Sequence, residues 1–333
     1  MDKVRVAIIG CGGRSKAHLF EQMDDVEVVA VADPVEERRI AANVRFGGKC
    51  RMYKDHNELY ANESKDTVDA LLIAVEPTAH VGIEEGAIEK GFHFIVEKPM
   101  TLDLAQADKI AAGIKEKNLI TSVGFQDRYL DLMDIIKEEM PKHKGGGLVY
   151  GAWVGGIPGV WWWQKKSTCG GQLVEQNIHL LDALRYLYGE PLSVYATCST
   201  GIVKAGVDAS AEYDTDDHST AIFRFPNNVT ATLVSGCYVK GLQHRNGLYI
   251  TMSDIIFDYR LRNNMIITTK EGSTDTPRKA NQTLALDRAF IDAVKSGDPS
   301  GIRSDYADAL KSLKLGFACN ESMETGKVIY FDN

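Results

Sequence analysis

The first 124 residues alternate short apolar runs with segments of helical character, and this alternation restricts the chain to few folds. Two of the runs, Val4–Ile9 and Val26–Ala32, are apolar almost throughout instead of on every second residue. Such strands belong to parallel sheets that helices cover on both faces. The pattern therefore predicts an α/β fold with a doubly wound parallel sheet.

The same kinds of pattern predict the remaining strands and helices. Further strands of this first part are predicted at 70–74, 92–96 and 120–124, and helices at 15–23, 35–46, 80–90 and 102–117. After Phe125 come glycine- and tryptophan-rich loops, a helix at 175–187, and strands of alternating polarity at 193–198, 219–225, 229–235 and 249–252. Alternation indicates an antiparallel sheet. The chain ends with predicted helices at 284–296 and Tyr306–Thr325 and a strand at 328–331. We therefore predict an α/β domain over 1–124 and an α+β domain over 125–333.

Length and composition exclude several classes of protein. The 333 residues suit two domains, and the net charge of −8 gives no basic surface for nucleic acid or an anionic membrane. No apolar stretch is long enough to span a bilayer, and the strand at Val4 leaves no room for a signal peptide. The six scattered cysteines indicate reduced thiols and no zinc site. We expect a cytoplasmic protein without a metal, nucleic-acid or membrane partner.

A glycine-rich segment, Gly10-Cys11-Gly12-Gly13-Arg14-Ser15, follows the first strand and precedes the first predicted helix. It matches the GxGxxG pattern of dinucleotide-binding loops, except that Ser15 takes the place of the third glycine. Gly10 permits a tight turn, and Gly12 lets the backbone approach a pyrophosphate at a helix N-terminus. We therefore expect the cofactor to contact Gly10, Gly12, Gly13, Arg14 and Ser15.

An acidic residue, Asp33, ends the second strand, where a carboxylate would accept a hydrogen bond from the ribose 2′-hydroxyl. Its negative charge would repel a 2′-phosphate, which favours NAD over NADP. Arg38, one turn into the next helix, could weaken that preference. The alternative is that Asp33 is the N-cap of this helix with Pro34 at its first position. Both interpretations can hold together, because a cap leaves one carboxylate oxygen free.

Two further strand ends carry polar residues. The run at 70–74 leads into a loop with Pro77 and His80, and the run at 92–96 leads into Glu97-Lys98-Pro99. Ligands of open α/β sheets bind at the carboxyl ends of the strands, so we expect these residues to contact the cofactor. Capping or packing at a helix start is an equal alternative for His80. Taken in isolation, Lys98 fits a solvated lysine at a strand end.

These segments together resemble the Gfo/Idh/MocA oxidoreductase family, named for glucose–fructose oxidoreductase and inositol dehydrogenase. The resemblance also includes Gly124-Phe125 with Arg128-Tyr129, and the segment from Gly170-Gly171 to Asp182. Near the C-terminus it includes Glu321-Ser322 with Thr325-Gly326, so it extends over essentially the whole chain. It implies an N-terminal NAD-binding Rossmann domain and a C-terminal substrate domain whose large open sheet is buried in a homodimer or homotetramer. It also implies NAD(P)-linked oxidation or reduction of a sugar or polyol carbon.

The segment from Gly170 to Asp182 resembles the catalytic helix of that family. Glu175, His179 and Asp182 are spaced so that one face of a continuous helix would carry all three. A histidine suits the removal of a hydroxyl proton while hydride leaves the same carbon, and a lysine ammonium polarises the developing alkoxide. We therefore assign His179 as general acid/base and Lys98 as its cationic partner. Glu175 is assigned to substrate binding or proton relay, and Asp182 to orientation of the helix.

Compared with one common version of the family pattern, this chain has Glu175 in place of an aspartate and Asn177 in place of a glycine. Glu175 keeps the negative charge on a longer side chain. The geometry around the substrate is therefore expected to differ in detail.

Three consecutive tryptophans, Trp161, Trp162 and Trp163, lie in a glycine-rich loop ahead of this helix. Three neighbouring indoles cannot all face one interior, so at least one is expected to stack on a sugar ring or contact another subunit. Packing of all three between elements is the alternative. Arg128 could bind substrate hydroxyls or pair with an acid across the domains. The weaker candidates are Tyr129, Asp216, Asp217, His218 and His244, and the acidic segment at 214–218 fits a solvated turn better than a metal site.

Two functions fit these residues. The first is an NAD-dependent dehydrogenase that acts on a secondary hydroxyl of a sugar, a sugar derivative or an inositol. The alternative is a glycosidase that retains its NAD, oxidises a sugar at C3, eliminates the aglycone, adds water and reduces the carbon again. A non-catalytic NAD-binding regulator is disfavoured, because Lys98 and His179 are both present.

Overall fold

The structure is a computed structural model that describes residues 3–143 and 145–331. It divides into two compact units, and each unit is made of two chain segments. The first unit consists of Met1–Tyr129 and Asn281–Leu310, and the second of Leu130–Ala280 and Lys311–Asn333. Among the helices of the described ranges, none is both long enough and apolar enough to cross a bilayer.

The structure contains the following strands and α-helices. They are β1 Val4–Ile9, β2 Val26–Ala32, β3 Arg51–Tyr53, β4 Ala70–Ile73, β5 His93–Val96, β6 Thr121–Val123, β7 Leu148–Val154, β8 Ser193–Ser199, β9 His218–Phe225, β10 Val229–Gly236, β11 Gly247–Thr251, β12 Ile256–Arg260, β13 Asn264–Thr269, β14 Gly272–Pro277 and β15 Ile329–Tyr330. The α-helices are α1 Glu36–Arg45, α2 His56–Asn62, α3 Ile83–Lys90, α4 Leu104–Lys117, α5 Asp131–Glu139, α6 Lys166–Cys169, α7 Gln172–Glu175, α8 Ile178–Tyr188, α9 Gln282–Ser296 and α10 Tyr306–Thr325.

The first unit contains the predicted parallel sheet. Its six strands lie in the order β3-β2-β1-β4-β5-β6, and every pair is parallel. The order reverses next to β1, so the carboxyl ends of β1 and β4 flank the crevice where such sheets bind ligands. The predicted fold class is therefore confirmed for this unit.

The predicted helix at 15–23 is wrong. The chain forms two short 3-10 turns there, Ser15–Ala17 and Phe20–Gln22, with His18 extended between them. Side chains take over the hydrogen bonds that a helix would supply: the N–H of Leu19 donates to Asp287 Oδ2 at 2.9 Å. This partner lies in α9, far along the chain, so the local sequence carries no sign of it.

The first unit includes a later chain segment, Asn281–Leu310, which follows most of the second unit in the sequence. Leu286, Phe290 and Ile291 of α9 join the apolar core formed by residues of the sheet such as Val6 and Leu72. The compact units therefore differ from a division into consecutive stretches, since Asn281–Leu310 packs with the amino-terminal part. As functional domains, 1–124 and 125–333 remain a prediction.

The second unit is built on a nine-stranded sheet in the order β14-β13-β12-β11-β7-β10-β9-β8-β15. The predicted antiparallel pairing is confirmed for most neighbours, and β7 with β10 is the parallel exception. One face of the sheet packs on α8 through Leu180, Leu181 and Leu184, which belong to one core with Phe223 and Leu233. Strand β3 and helices α2 and α5 were not predicted from the sequence.

Candidate active site

The glycine-rich loop has the backbone that its sequence requires. Gly10 has φ +89°, and a Cβ at this position would lie 2.5 Å from the carbonyl oxygen of Ala74. Only glycine permits this approach between the ends of β1 and β4. A Cβ at Gly12 or Gly13 would meet no described atom within 4 Å, so the loop presents bare backbone to open space. This surface fits a pyrophosphate group, although backbone turns and not an α-helix follow it.

Asp33 ties this loop to the end of β2. Its Oδ2 accepts a hydrogen bond from the N–H of Cys11 at 2.8 Å, and its Oδ1 accepts one from Val35 at 2.8 Å. The N-cap of α1 is Val35, so the capping interpretation is wrong in its position. Both carboxylate oxygens of Asp33 therefore already accept a hydrogen bond. Each has a second lone pair that could accept another hydrogen bond from a ribose hydroxyl. The Arg38 guanidinium lies 4.0 Å from Oδ2.

Glu97 is the buried centre of a charge cluster in the first unit. Arg14 Nε lies 2.8 Å and His18 Nε2 3.1 Å from its Oε1, while its Oε2 accepts a hydrogen bond from the N–H of Lys98. Burial raises the pKa of Glu97, but Arg14 and His18 outweigh this effect and hold it at about 2. A Cβ at Gly124 would lie 2.7 Å from the carboxylate, so this glycine makes room for it.

His18 carries a positive charge in the same cluster. Its Nδ1 lies 2.6 Å from Asp287 Oδ1, so each ring nitrogen faces a carboxylate. Burial lowers the pKa of His18, but Asp287 and Glu97 raise it to about 9. The cluster therefore fixes the backbone of Lys98, whose peptide bond to Pro99 is cis. Neither His18 nor Asp287 can be identified as a member of the cluster from the local sequence, because 269 residues separate the two.

The loop after β4 turns His80 away from open solvent. Pro77 begins a 3-10 turn that ends at Ala79, and the buried His80 follows it. His80 Nδ1 lies 2.5 Å from Glu84 Oε1 on α3, and its Nε2 has no hydrogen-bond partner among the described residues. The packing alternative therefore accounts for one ring nitrogen, and a cofactor contact of the other stays a prediction.

The predicted continuous helix at 175–187 is interrupted in the second unit. The N–H of Asn177 bonds five residues back to Gln172, and Asn177 Nδ2 donates to Val234 O on β10 at 3.2 Å. Glu175 therefore ends α7, and His179 lies near the start of α8, so the three polar residues do not share one continuous helix. Both side chains are almost fully buried, at 3% and 5% exposure. Asp182 accepts a hydrogen bond from Ser312 at 2.7 Å.

A fourth tryptophan, which sequence analysis did not single out, contacts the histidine. The Trp153 indole on β7 stacks on the His179 imidazole with ring centroids 5.8 Å apart and planes 26° apart. The guanidinium of Arg262 lies 5.3 Å from the centre of the same indole. The alternating pattern of β7 indicates that Trp153 faces inward, but it does not show which helix the indole meets.

The three consecutive tryptophans separate into different environments. They form a 3-10 turn, Trp161–Gln164, in which Trp161 is 61% exposed. Trp162 and Trp163 stack at 6.2 Å, and Trp163 Nε1 donates to Gln172 Oε1 on α7 at 3.1 Å. The turn is thus attached to the short helix that carries Glu175.

Arg128 pairs with groups of its own unit. Its Nη1 lies 2.6 Å from Asp308 and donates to the carbonyl of Arg303. The acidic segment at 214–218 is also structural in part: Asp217 accepts hydrogen bonds from the N–H groups of Ile202 and Val203. Burial raises the pKa of Asp216. In the described ranges no group of three or more His, Cys, Asp or Glu side chains could hold a metal ion.

Comparison with known proteins agrees with this arrangement. Residues 4–125 match the model of the GFO/IDH/MocA oxidoreductase family with an NAD-binding Rossmann fold, and residues 148–257 match the C-terminal domain of that family. Myo-inositol 2-dehydrogenase of Thermotoga maritima is 24% identical and covers 96% of both chains. UDP-N-acetylglucosamine 3-dehydrogenase of Acidithiobacillus ferrooxidans is 30% identical over 72% of this chain and 69% of its own.

The fold has close structural neighbours as well. An oxidoreductase from Agrobacterium radiobacter, solved with NAD+, L-tartaric acid and magnesium, superimposes with a TM-score of 0.82 at 18% identity and covers 98% of each chain. This likeness supports the architecture of both units. On the matches of its two parts and of its relatives, the chain belongs to the GFO/IDH/MocA family of NAD-binding oxidoreductases.

Proposed function

We propose that the protein is an NAD-dependent dehydrogenase that oxidises a secondary hydroxyl of a sugar, a sugar derivative or an inositol. The observation that carries the proposal is that Glu175 and His179 are both buried in a chain whose other unit has a bare glycine-rich loop at Gly12 and Gly13. The two sequence relatives described above are named as dehydrogenases of an inositol and of a nucleotide-linked sugar.

In the proposed reaction His179 accepts the proton of the substrate hydroxyl, and Lys98 stabilises the developing alkoxide. Bound NAD supplies the acceptor for the hydride that leaves the same carbon, so the alcohol becomes a ketone. Glu175 binds a neighbouring hydroxyl or relays the proton onward. The hydrogen bond from the Lys98 N–H to Glu97 fixes the backbone from which the ammonium extends.

The cofactor is held by the first unit. We assign pyrophosphate binding to the N–H groups of Gly12 and Gly13 and to Arg14, next to Gly10 and Ser15, because the loop at Gly12 and Gly13 is bare backbone. Asp33 accepts a hydrogen bond from a ribose hydroxyl and repels a 2′-phosphate, which supports NAD over NADP. Arg38 is close enough to Asp33 to reduce this preference. His80 and Pro77 are proposed to contact the nicotinamide half.

The substrate is a small carbohydrate or polyol. Because Trp161 is exposed while Trp162 and Trp163 pack against each other, we assign sugar stacking to this turn and in particular to Trp161. Arg128 is a weaker candidate for substrate binding, because Asp308 and the Arg303 carbonyl already occupy its Nη1.

The protein is proposed to form a homodimer or homotetramer through the open face of the nine-stranded sheet. One register row across five strands of that face contains mostly large apolar side chains: Tyr249, Tyr150, Thr232, Ile222 and Tyr195. The four apolar members of the row are 36–43% exposed, and a row of this kind is suited to burial against a second copy.

A reducing, cytoplasm-like compartment is proposed for the protein. All six cysteines are free, and five of them are buried. Burial raises the pKa of the thiol of Cys11 to about 12, which keeps it protonated and unreactive.

The test is a panel of sugars, inositols and nucleotide sugars assayed by NADH absorbance with NAD and NADP in parallel. We expect net NADH formation with NAD, and loss of turnover in His179→Ala with NAD binding intact. Retained turnover in this variant would remove His179 from its role. Release of phenol from an aryl glycoside without net NADH would replace the dehydrogenase by the NAD-dependent glycosidase.

A further inference from the structure

We propose that Trp153 is a positioning residue for the reaction, which holds the imidazole of His179 in its working plane. The inference rests on the proposed role of His179 as the base. It concerns a residue that is neither part of the glycine loop nor of the catalytic helix.

The placement of Trp153 is determined by the sheet. Along β7 the residues Val149, Gly151 and Trp153 face the same side of the sheet, and a Cβ at Gly151 would strike Leu233 and Leu248 of the core. The indole therefore projects from the core face, at the end of the strand, and meets the His179 ring at 5.8 Å.

The backbone just before His179 is held by β10, the strand next to β7. Asn177 interrupts the helix before His179 and donates from Nδ2 to Val234 O of β10, which pairs with β7. The backbone at this position is thus attached to β10, while the imidazole is stacked on β7. Two adjacent strands of one sheet thus contact the segment that carries His179, one through its backbone and one through the ring.

The stack also has an electrostatic consequence. The face of an indole is negative and attracts a cation, so the contact strengthens when the imidazole takes up the substrate proton. The Arg262 guanidinium, 5.3 Å from the same indole, is attracted to that ring in the same way and keeps it in place. A contact that becomes stronger as charge develops acts on kcat more than on substrate binding.

The test compares Trp153→Leu and Trp153→Phe with a matched control. Tyr188→Leu removes a ring contact of equal centroid distance, 5.8 Å to Phe225, from the other end of α8. We expect Trp153→Leu to lower kcat about 3- to 30-fold with KM changed less than about 2-fold, and Trp153→Phe to restore most of the loss. Tyr188→Leu is expected to lower the melting temperature and to leave kcat unchanged.

A second measurement does not need turnover. The ring protons of His179, assigned by comparison with His179→Gln in the NMR spectrum, lie under the ring current of the indole and should move downfield in Trp153→Leu but not in Tyr188→Leu. Unmoved resonances, or a kcat loss equal in Trp153→Leu and Tyr188→Leu, would overturn the inference. If no sugar or polyol is oxidised at all, the proposed function fails, and the resonances alone decide the placement of the ring.

Discussion

The buried charge of His18 predicts a specific dependence of stability on pH. Burial lowers the pKa of His18, but Asp287 and Glu97 raise it from 6.5 to about 9 in the folded protein. The folded state therefore keeps a proton that the unfolded chain releases. The resulting stabilisation is complete below the unfolded pKa of 6.5, declines as the pH rises and is lost above about 9. At 1.36 kcal/mol per pKa unit, the loss is about 3 kcal/mol.

The measurement is urea unfolding of the unsubstituted protein and of His18→Asn from about pH 6 to about pH 10. Asparagine can still donate to Asp287 but does not titrate, and all other titrating groups are common to both proteins. We expect the difference in free energy of unfolding between the two to shrink by about 3 kcal/mol across this range. A difference that stays constant would refute the positive charge on His18.

Two other features lead to direct tests. Asp33→Asn removes the charge that repels a 2′-phosphate while a side-chain oxygen remains for Cys11 or Val35, so the ratio of kcat/KM for NADP to that for NAD should rise at least about tenfold; an unchanged ratio would remove Asp33 from cofactor selection. Tyr150→Glu places a charge in the apolar row of the open sheet face, and sedimentation should then show a smaller assembly, whereas an unchanged mass would place the interface elsewhere.

The parallel sheet could be predicted because its signal is local. β1 and β2 have the bounds that their apolar runs predict, and the turn at Gly10 follows from the need for a residue without a side chain. The same holds for Glu97 and Lys98, which lie at the carboxyl end of β5. These features depend on period, strand ends and turn chemistry within a few residues.

The features that could not be predicted depend on partners far along the chain. The helix expected at 15–23 is replaced by turns, because Asp287 accepts a hydrogen bond from the N–H of Leu19. Helix α7 is separated from α8 at Asn177, whose side chain donates a hydrogen bond to β10. The contact of Trp153 with His179 is of the same kind. Helical propensity is weak enough for such tertiary contacts to override it.

The return of the chain to the first unit has a consequence for its synthesis. About 150 residues separate Tyr129 from Asn281, so α9, with Asp287 and Phe290, leaves the ribosome only after most of the second unit. Until then the core of the parallel sheet lacks one of its covering helices, and His18 lacks a carboxylate. Closing a loop of this length costs chain entropy before the contact is gained, so contacts of such sequence separation form slowly. The turns at His18 and Leu19, although encoded early, therefore cannot form their hydrogen bonds to Asp287 until α9 has been synthesised.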